Sequence, residues 1–213
     1  LIGVINGLVT VKGHVPSFIT TLGIFSAARG ISLAVTNSVA IPILNEDYLL
    51  VFQDARPLGI AVSVIYAVVL FAALHFVLTR TRFGTSIYAI GGNAMAARLS
   101  GIPVDRIKIL VFVLAGTIIG FAAILQIARI GSASPEVARN LELDAIAAVV
   151  LGGTSLTGGR GSLVRTIFGV LLIGILNNGM NLLNIDSYFQ FIIKGAIIIL
   201  AVLIDRWSRG RGA

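Results

Sequence analysis

Three asparagines and a lysine are the residues of this chain best placed to do chemistry. Asn177, Asn178 and Asn181 lie inside a charge-free apolar run, and Lys194 lies inside the next one. Polar groups are costly in hydrocarbon, so side chains of this kind are functional candidates by default. Helical spacing is expected to put the three amides on one face. That face could hydrogen-bond a polyhydroxylated ligand along a translocation pathway, or it could join helices through amide bonds worth about 1 kcal/mol each. Both readings stay open. Lys194 is eight residues from Asp186 and would pair with it only through tertiary geometry, with Gln190 one turn away as a further partner. Arg29 also falls within an apolar run and has no role assignable from sequence.

Other chemistry is poorly supported. His14 and His75 lie in different segments, no HExxH occurs, and Gly153-Thr-Ser155-Leu-Thr157 lacks the second glycine of a serine-nucleophile turn. Zero cysteines exclude disulfides and thiolate metal or redox sites. The segment Leu151-Gly-Gly-Thr-Ser-Leu-Thr-Gly-Gly-Arg-Gly-Ser162 invites comparison with a phosphate-binding loop, since glycine-rich backbone can cradle anions. Gly153 and Gly158 have the right gap, but Gly159-Arg160 stands where Lys-Ser/Thr is required. The segment is better read as a break in helix at the membrane face, with Thr154, Ser155, Thr157 and Ser162 satisfying freed backbone groups. No nucleotide or other cofactor is expected on this chain, so an ATPase that powered it would be another polypeptide.

The loop over residues 87–103, Ile87 to Pro103, carries the clearest local signals. Asn93 is a good N-cap, Ala94 to Ser100 are mostly strong helix formers, Gly101 suits the left-handed C′ position, and Pro103 prevents continuation. The prediction is a helix of about two turns, roughly 10 Å long. A rigid, small-faced helix with one arginine, held between two spans, is shaped to dock in a groove of another protein. An ordinary interfacial linker helix is the competing reading.

The elements that position these residues follow from composition. Of 213 residues, 57% are hydrophobic and 12% charged, against about 25% charged in soluble domains. So few charges cannot furnish a soluble surface, and the chain is read as one integral membrane domain over residues 1–213, an all-α transmembrane bundle. Crossing about 30 Å of hydrocarbon takes about 20 residues. Leu58–Thr79, Ile109–Ala128 and Thr166–Ile185 are charge-free runs of that length. Ser17–Asn37, broken by Arg29, Leu141–Thr157, with Glu142 and Asp144 at its start, and Ser187–Ile204, broken by Lys194, also qualify. Leu1–Val11 suffices for half a crossing, making six full spans and one partial.

Basic residues accumulate on the cytoplasmic side of membranes. With Arg80–Lys108 placed inside, alternation also puts Lys12, Arg160, Arg165, Arg206, Arg209 and Arg211 in the cytoplasm, with a cytoplasmic C-terminus. Arg56, Arg129 and Arg139 fall outside, as do Glu46, Asp47, Asp54, Glu136, Glu142, Asp144 and Asp186 at outer helix ends. The net charge of +7 is therefore a topology signal and does not point to nucleic acid. Small residues mark helix contacts in lipid, and Gly3-Val-Ile-Asn-Gly7 and Gly116-Thr-Ile-Ile-Gly120 are expected packing steps. No repeat of 20–50 residues is evident. Leu1 opens inside an apolar run with no preceding charged region, so an N-terminal truncation is expected.

The loop Gly91-Gly-Asn-Ala-Met-Ala-Ala-Arg-Leu-Ser-Gly-Ile102, followed by Ile146-Ala-Ala-Val-Val-Leu-Gly-Gly-Thr-Ser-Leu-Thr-Gly-Gly-Arg-Gly-Ser162, resembles the permease subunit of bacterial ABC sugar importers, of the ribose/xylose/galactoside type. Phe18-Ile-Thr-Thr-Leu-Gly23 and Ala28-Arg-Gly30 match it as well. The resemblance implies a non-enzymatic transport subunit in the bacterial inner membrane, with Gly92, Asn93, Ala96, Ala97, Arg98, Leu99 and Gly101 in the coupling helix that docks onto a cytoplasmic ATP-binding subunit. It implies a second permease copy and an extracytoplasmic sugar-binding protein as further partners, and it makes this chain the C-terminal part of a longer permease. Pentose, hexose, another furanosyl compound and a nucleoside are not separated. Two rivals of other classes are an ion-coupled secondary transporter, which needs a carboxylate near mid-membrane, and a purely structural or receptor subunit.

Overall fold

The apolar runs become helices whose ends are set by local capping. The computed structural model describes residues 1–54, 57–138, 141–156 and 158–210. Arg56, Arg139, Thr157 and Arg211, to which the sequence assigns sides or roles, lie outside the described residues. The helices are α1 (Ile2–Lys12), α2 (Ser17–Thr36), a short α3 (Glu46–Leu49), α4 (Val62–Arg80), α5 (Arg82–Gly92), α6 (Ala94–Leu99), α7 (Val104–Ile130), α8 (Leu141–Leu151), α9 (Leu163–Leu182) and α10 (Ser187–Gly210). Two-residue strands β1 (Ile41–Pro42) and β2 (Ser132–Ala133) pair antiparallel, Ile41 opposite Ala133. Apart from this two-residue pairing the regular elements are helical, as expected of a helical membrane bundle.

Among the described residues four helices, α2, α4, α7 and α9, are long and apolar enough to cross a membrane. α1 and the first part of α10, Ser187–Leu200, are shorter apolar helices. The expected full span over Leu141–Thr157 is corrected: α8 stops at Leu151 after 11 residues. Its end is a Schellman cap, with Gly153 at φ +73 and the Gly153 and Thr154 amides donating to the carbonyls of Val150 (2.8 Å) and Val149 (3.1 Å). Hydropathy saw one apolar run there, whereas two adjacent glycines close the helix halfway. Eleven residues rise only about 16 Å, half of a hydrocarbon core.

The chain divides into two compact units: Leu1–Val77 with Ser100–Val137, and Leu78–Leu99 with Ala138–Ala213. In the first, α1 lies along α7 at backbone distance. A Cβ on Gly3 would meet the Phe112 carbonyl oxygen at 2.3 Å, one on Gly7 the Ile109 Cα at 3.0 Å, and one on Gly116 the Gly3 Cα at 2.9 Å. Both small-residue steps are therefore used in one joint, except Gly120, which has nothing within 4 Å. Tyr48 donates its hydroxyl to the Ile124 carbonyl at 2.5 Å, and Tyr48, Phe52, Tyr66 and Phe121 form a run of ring contacts. Arg29 stacks over the ring of Phe25, one turn earlier in α2, at 5.0 Å.

In the second unit α8 packs against α9 and α10 around Ala147, Ala148 and Ile173, with Leu176 and Ile198 alongside. Most other large apolar side chains are exposed, for example Val68 and Phe76 of α4 and Phe168 and Ile175 of α9. Where lipid is the solvent, helix association rests on close packing instead.

Candidate functional site

Two groups of residues stand out. The first is the loop between α4 and α7. Thr81 caps α5, its Oγ1 accepting from the Gly84 amide at 3.3 Å. α5 was not anticipated as a separate helix in the sequence. It ends at Gly92, and Asn93, at φ −155, opens α6. The Asn93 Oδ1 accepts from the amides of Met95 and Ala96, each at 3.0 Å. Gly101 stands at φ +82, a conformation that favours glycine. The short helix expected from these signals is thus present over Ala94–Leu99.

α6 buries Ala97, at 5% exposure, while Met95 and Leu99 are 67% and 83% exposed. Gly92, Asn93, Ala96 and Arg98 are also exposed. Asn93→Ala should cost about 1 kcal/mol of helix stability, seen as faster amide hydrogen exchange over residues 95–99 with exchange in α9 unchanged.

The glycine-rich segment after α8 supports this loop. Gly158 and Gly159 both take positive φ, +96 and +75. Their backbone lies directly on the end of α5: a Cβ on Gly91 would meet the Gly159 nitrogen at 2.4 Å, and one on Gly159 the Gly92 Cα at 2.8 Å. Tyr88 adds a hydrogen bond from its hydroxyl to the Gly161 carbonyl at 3.1 Å. The segment is indeed a break in helix, and its chemistry is backbone packing. Ser162 caps α9 by accepting from the Arg165 amide at 3.5 Å. Thr154 bonds the Thr166 side chain at 3.4 Å instead of freed backbone.

The second group lies between α8, α9 and α10. Lys194 Nζ stands 2.9 Å from Asp144 Oδ1 and donates to Oδ2 at 3.0 Å. Asn177 Nδ2 donates to the same Oδ2 at 2.9 Å. Asp144, which the sequence placed with the acids at outer helix ends, stands in the first turn of α8 and is 17% exposed; Lys194, 13% exposed, pairs with it and not with Asp186. Asp186 accepts from the Tyr188 hydroxyl at 2.5 Å instead. The reason is register: α8 and α9 run antiparallel, with Gly152 against Thr166 and Gly169 against Ala148, and this brings the first turn of α8 beside Asn177.

Gln190 does not serve Lys194. Its Nε2 donates to Asn181 Oδ1 at 3.0 Å and to the Ile185 carbonyl at 2.9 Å. The three amides fall within about 100° of arc on α9 but do not act together: Asn177 is half-buried, whereas Asn178 and Asn181 are exposed. The structure brings Asn177 and Lys194 together, places Asn181 in a neighbouring bond, and leaves Asn178 apart. Asp144 is the member that sequence reasoning missed, although its acid in an otherwise apolar run was a usable signal.

The chain matches the family described as branched-chain amino acid transport system / permease component over residues 1–202. It is 46% identical over 207 residues to the ribose import permease protein of Escherichia coli (strain K12), covering 96% of this chain and 64% of that protein. Identity to the ribose import permease protein of Bacillus subtilis (strain 168) is 46% over 202 residues, 94% of this chain and 63% of the relative. It is 37% to the L-arabinose ABC transporter permease protein of Azospirillum brasilense, over 99% of this chain and 62% of the relative. The chain thus spans less than two-thirds of the length of these relatives. No solved structure matches it significantly. The match across nearly the whole chain, with the long apolar helices beneath it, establishes a multi-pass membrane protein that belongs to the branched-chain amino acid transport system / permease component family.

Proposed function

We propose that this chain is the membrane-spanning part of a permease subunit in an ATP-driven, binding-protein-dependent importer of a monosaccharide. The observation that carries the reading is α6: a capped, two-turn helix with Met95, Arg98 and Leu99 outward, seated beside a glycine turn that leaves its supporting backbone no slack. Such a rigid knob suits a groove on a cytoplasmic ATP-binding subunit. Relatives named for ribose and L-arabinose import support a neutral monosaccharide as cargo.

In this reading residues 1–213 form one permease domain, and residues 87–103 form its coupling loop. The loop and the C-terminus face the cytoplasm, a second permease copy completes the pathway, and an extracytoplasmic sugar-binding protein delivers substrate. The chain performs no catalysis, and ATP is bound and hydrolysed by the partner subunit. Closure of the ATPases moves the coupling helices and switches access from one side to the other. Asn177, Asn178, Asn181 and Lys194 are the candidate pathway residues; Asn178 and Asn181 are the two exposed amides among them.

The test is reconstitution of the full-length permease in liposomes with its ATPase and binding protein, following radiolabelled D-ribose and L-arabinose. Uptake that requires ATP and stops when the ATPase is inactivated is the expected result. Uptake that survives an inactivated ATPase would instead establish an ion-coupled transporter, for which the intramembrane carboxylate of Asp144 is the one favourable feature. Absence of transport with both partners present would leave a structural subunit.

A further inference from the structure

A helix half the thickness of a membrane has to be held at its inner end by something. α8 has 11 residues, and at one end its glycine cap leads into the turn that packs on α5. At the other end its first two turns carry Glu142, which is exposed, and Asp144, which is not. Asn177 lies five residues before the end of α9, and Lys194 seven residues after the start of α10. At 1.5 Å per residue these offsets are about 7 and 10 Å, so the polar cluster sits one to two turns inside the apolar helices.

A lone carboxylate or ammonium at that depth is strongly disfavoured, and removing one partner of a buried pair leaves the other uncompensated. Removing both is far less damaging, because no unpaired charge remains. Here the ammonium stands within 3.0 Å of both oxygens of Asp144 and hydrogen-bonds Oδ2, to which the Asn177 amide also donates, while Oδ1 is held by the ion pair alone, without a hydrogen-bond partner. We infer that Asp144 is a positioning residue which, through Lys194 and Asn177, locks the first turns of α8 to α9 and α10. Each charge is tolerated at its depth only because the other is there. α8 is then fixed at both ends, by this polar lock and by the glycine turn against α5.

Residues 1–213 contain no cysteine, which allows a direct test once any thiol elsewhere in the full-length permease is replaced by serine. Val150 of α8 is 6% exposed, so Val150→Cys provides a single buried thiol whose alkylation by N-ethylmaleimide reports separation of α8 from its neighbours. In that background Asp144→Asn and Lys194→Met should each speed labelling at least about tenfold, whereas the double variant should return to within about threefold of the parent. Unchanged rates in the single variants, or a double variant labelled as fast as the singles, would overturn the inference. If a single variant fails to accumulate in the membrane, recovery of the double variant supports the lock and its continued loss refutes it.

Discussion

Gly169→Leu should take α8 off α9 and lower the stability of the detergent-solubilised chain by about 3 kcal/mol or more, while Gly174→Leu, on the same helix, should leave the melting temperature nearly unchanged. A Cβ on Gly169 would stand 1.9 Å from the Ala148 carbonyl oxygen, 2.9 Å from its carbon and 3.0 Å from the Gly152 nitrogen. These neighbours are backbone, so the helices themselves must move apart. Overpacking of a tight core usually costs about 1–3 kcal/mol, and here the inserted side chain would also open the Ala147, Ala148 and Ile173 cluster. Gly152 lies in the same crossing, with the Thr166 Cα 2.6 Å from its notional Cβ. Gly174 has nothing within 4 Å, so its substitution places another apolar group toward lipid. Equal melting of the two variants would show that the crossing is not closed at backbone distance.

The second large effect is expected at the loop over residues 87–103. Arg98→Glu should abolish co-purification with the ATP-binding subunit and uptake together, while membrane insertion stays at the parental level. Reversing a charge within a docked interface costs about 2 kcal/mol or more, roughly 30-fold in affinity. The side chain is exposed on α6 and lies outside the apolar spans. Gly101→Val should act through the backbone, since φ +82 is strained for a β-branched residue, loosening the end of α6 without changing its charge. A variant Arg98→Glu that still transported at the parental rate would sink the docking reading and leave an interfacial linker helix in its place.

How much of this was legible beforehand depends on how far apart the determinants lie in the chain. α6 was readable to within a residue because Asn93, Gly101 and Pro103 act on backbone groups a few positions away. The long apolar helices were readable for a similar reason, since length and hydropathy are summed along contiguous residues. Their ends were less so: α9 runs from Leu163 to Leu182 where Thr166 to Ile185 was expected, because the Ser162 cap and the turn at Asn184, φ +52, lie beyond what an apolar run reports. Gly152-Gly153 was recognised as a break, yet the run was still counted through to Thr157. Composition is blind to a Schellman cap.

Sequence alone determined that the chain belongs in a bilayer, which stretches are helical, and that a capped helix stands between two of them, because each property is set by neighbours along the backbone. Tertiary structure alone decided what each helix touches. Gly3 and Gly7 announce a close approach, but a missing Cβ does not name its partner, and only the fold assigns it to Ile109, Phe112 and Gly116 of α7. In the same way the glycines at 91 and 92 and at 158 and 159 look alike in sequence whether or not they meet. Lys194 and Asp144 are 50 positions apart; Asp186 is nearer to Lys194 in the chain and was the natural guess. An unpaired charge in hydrocarbon selects whichever counter-charge the packing of α8, α9 and α10 brings within reach, and that packing is set by backbone crossings that no linear spacing records.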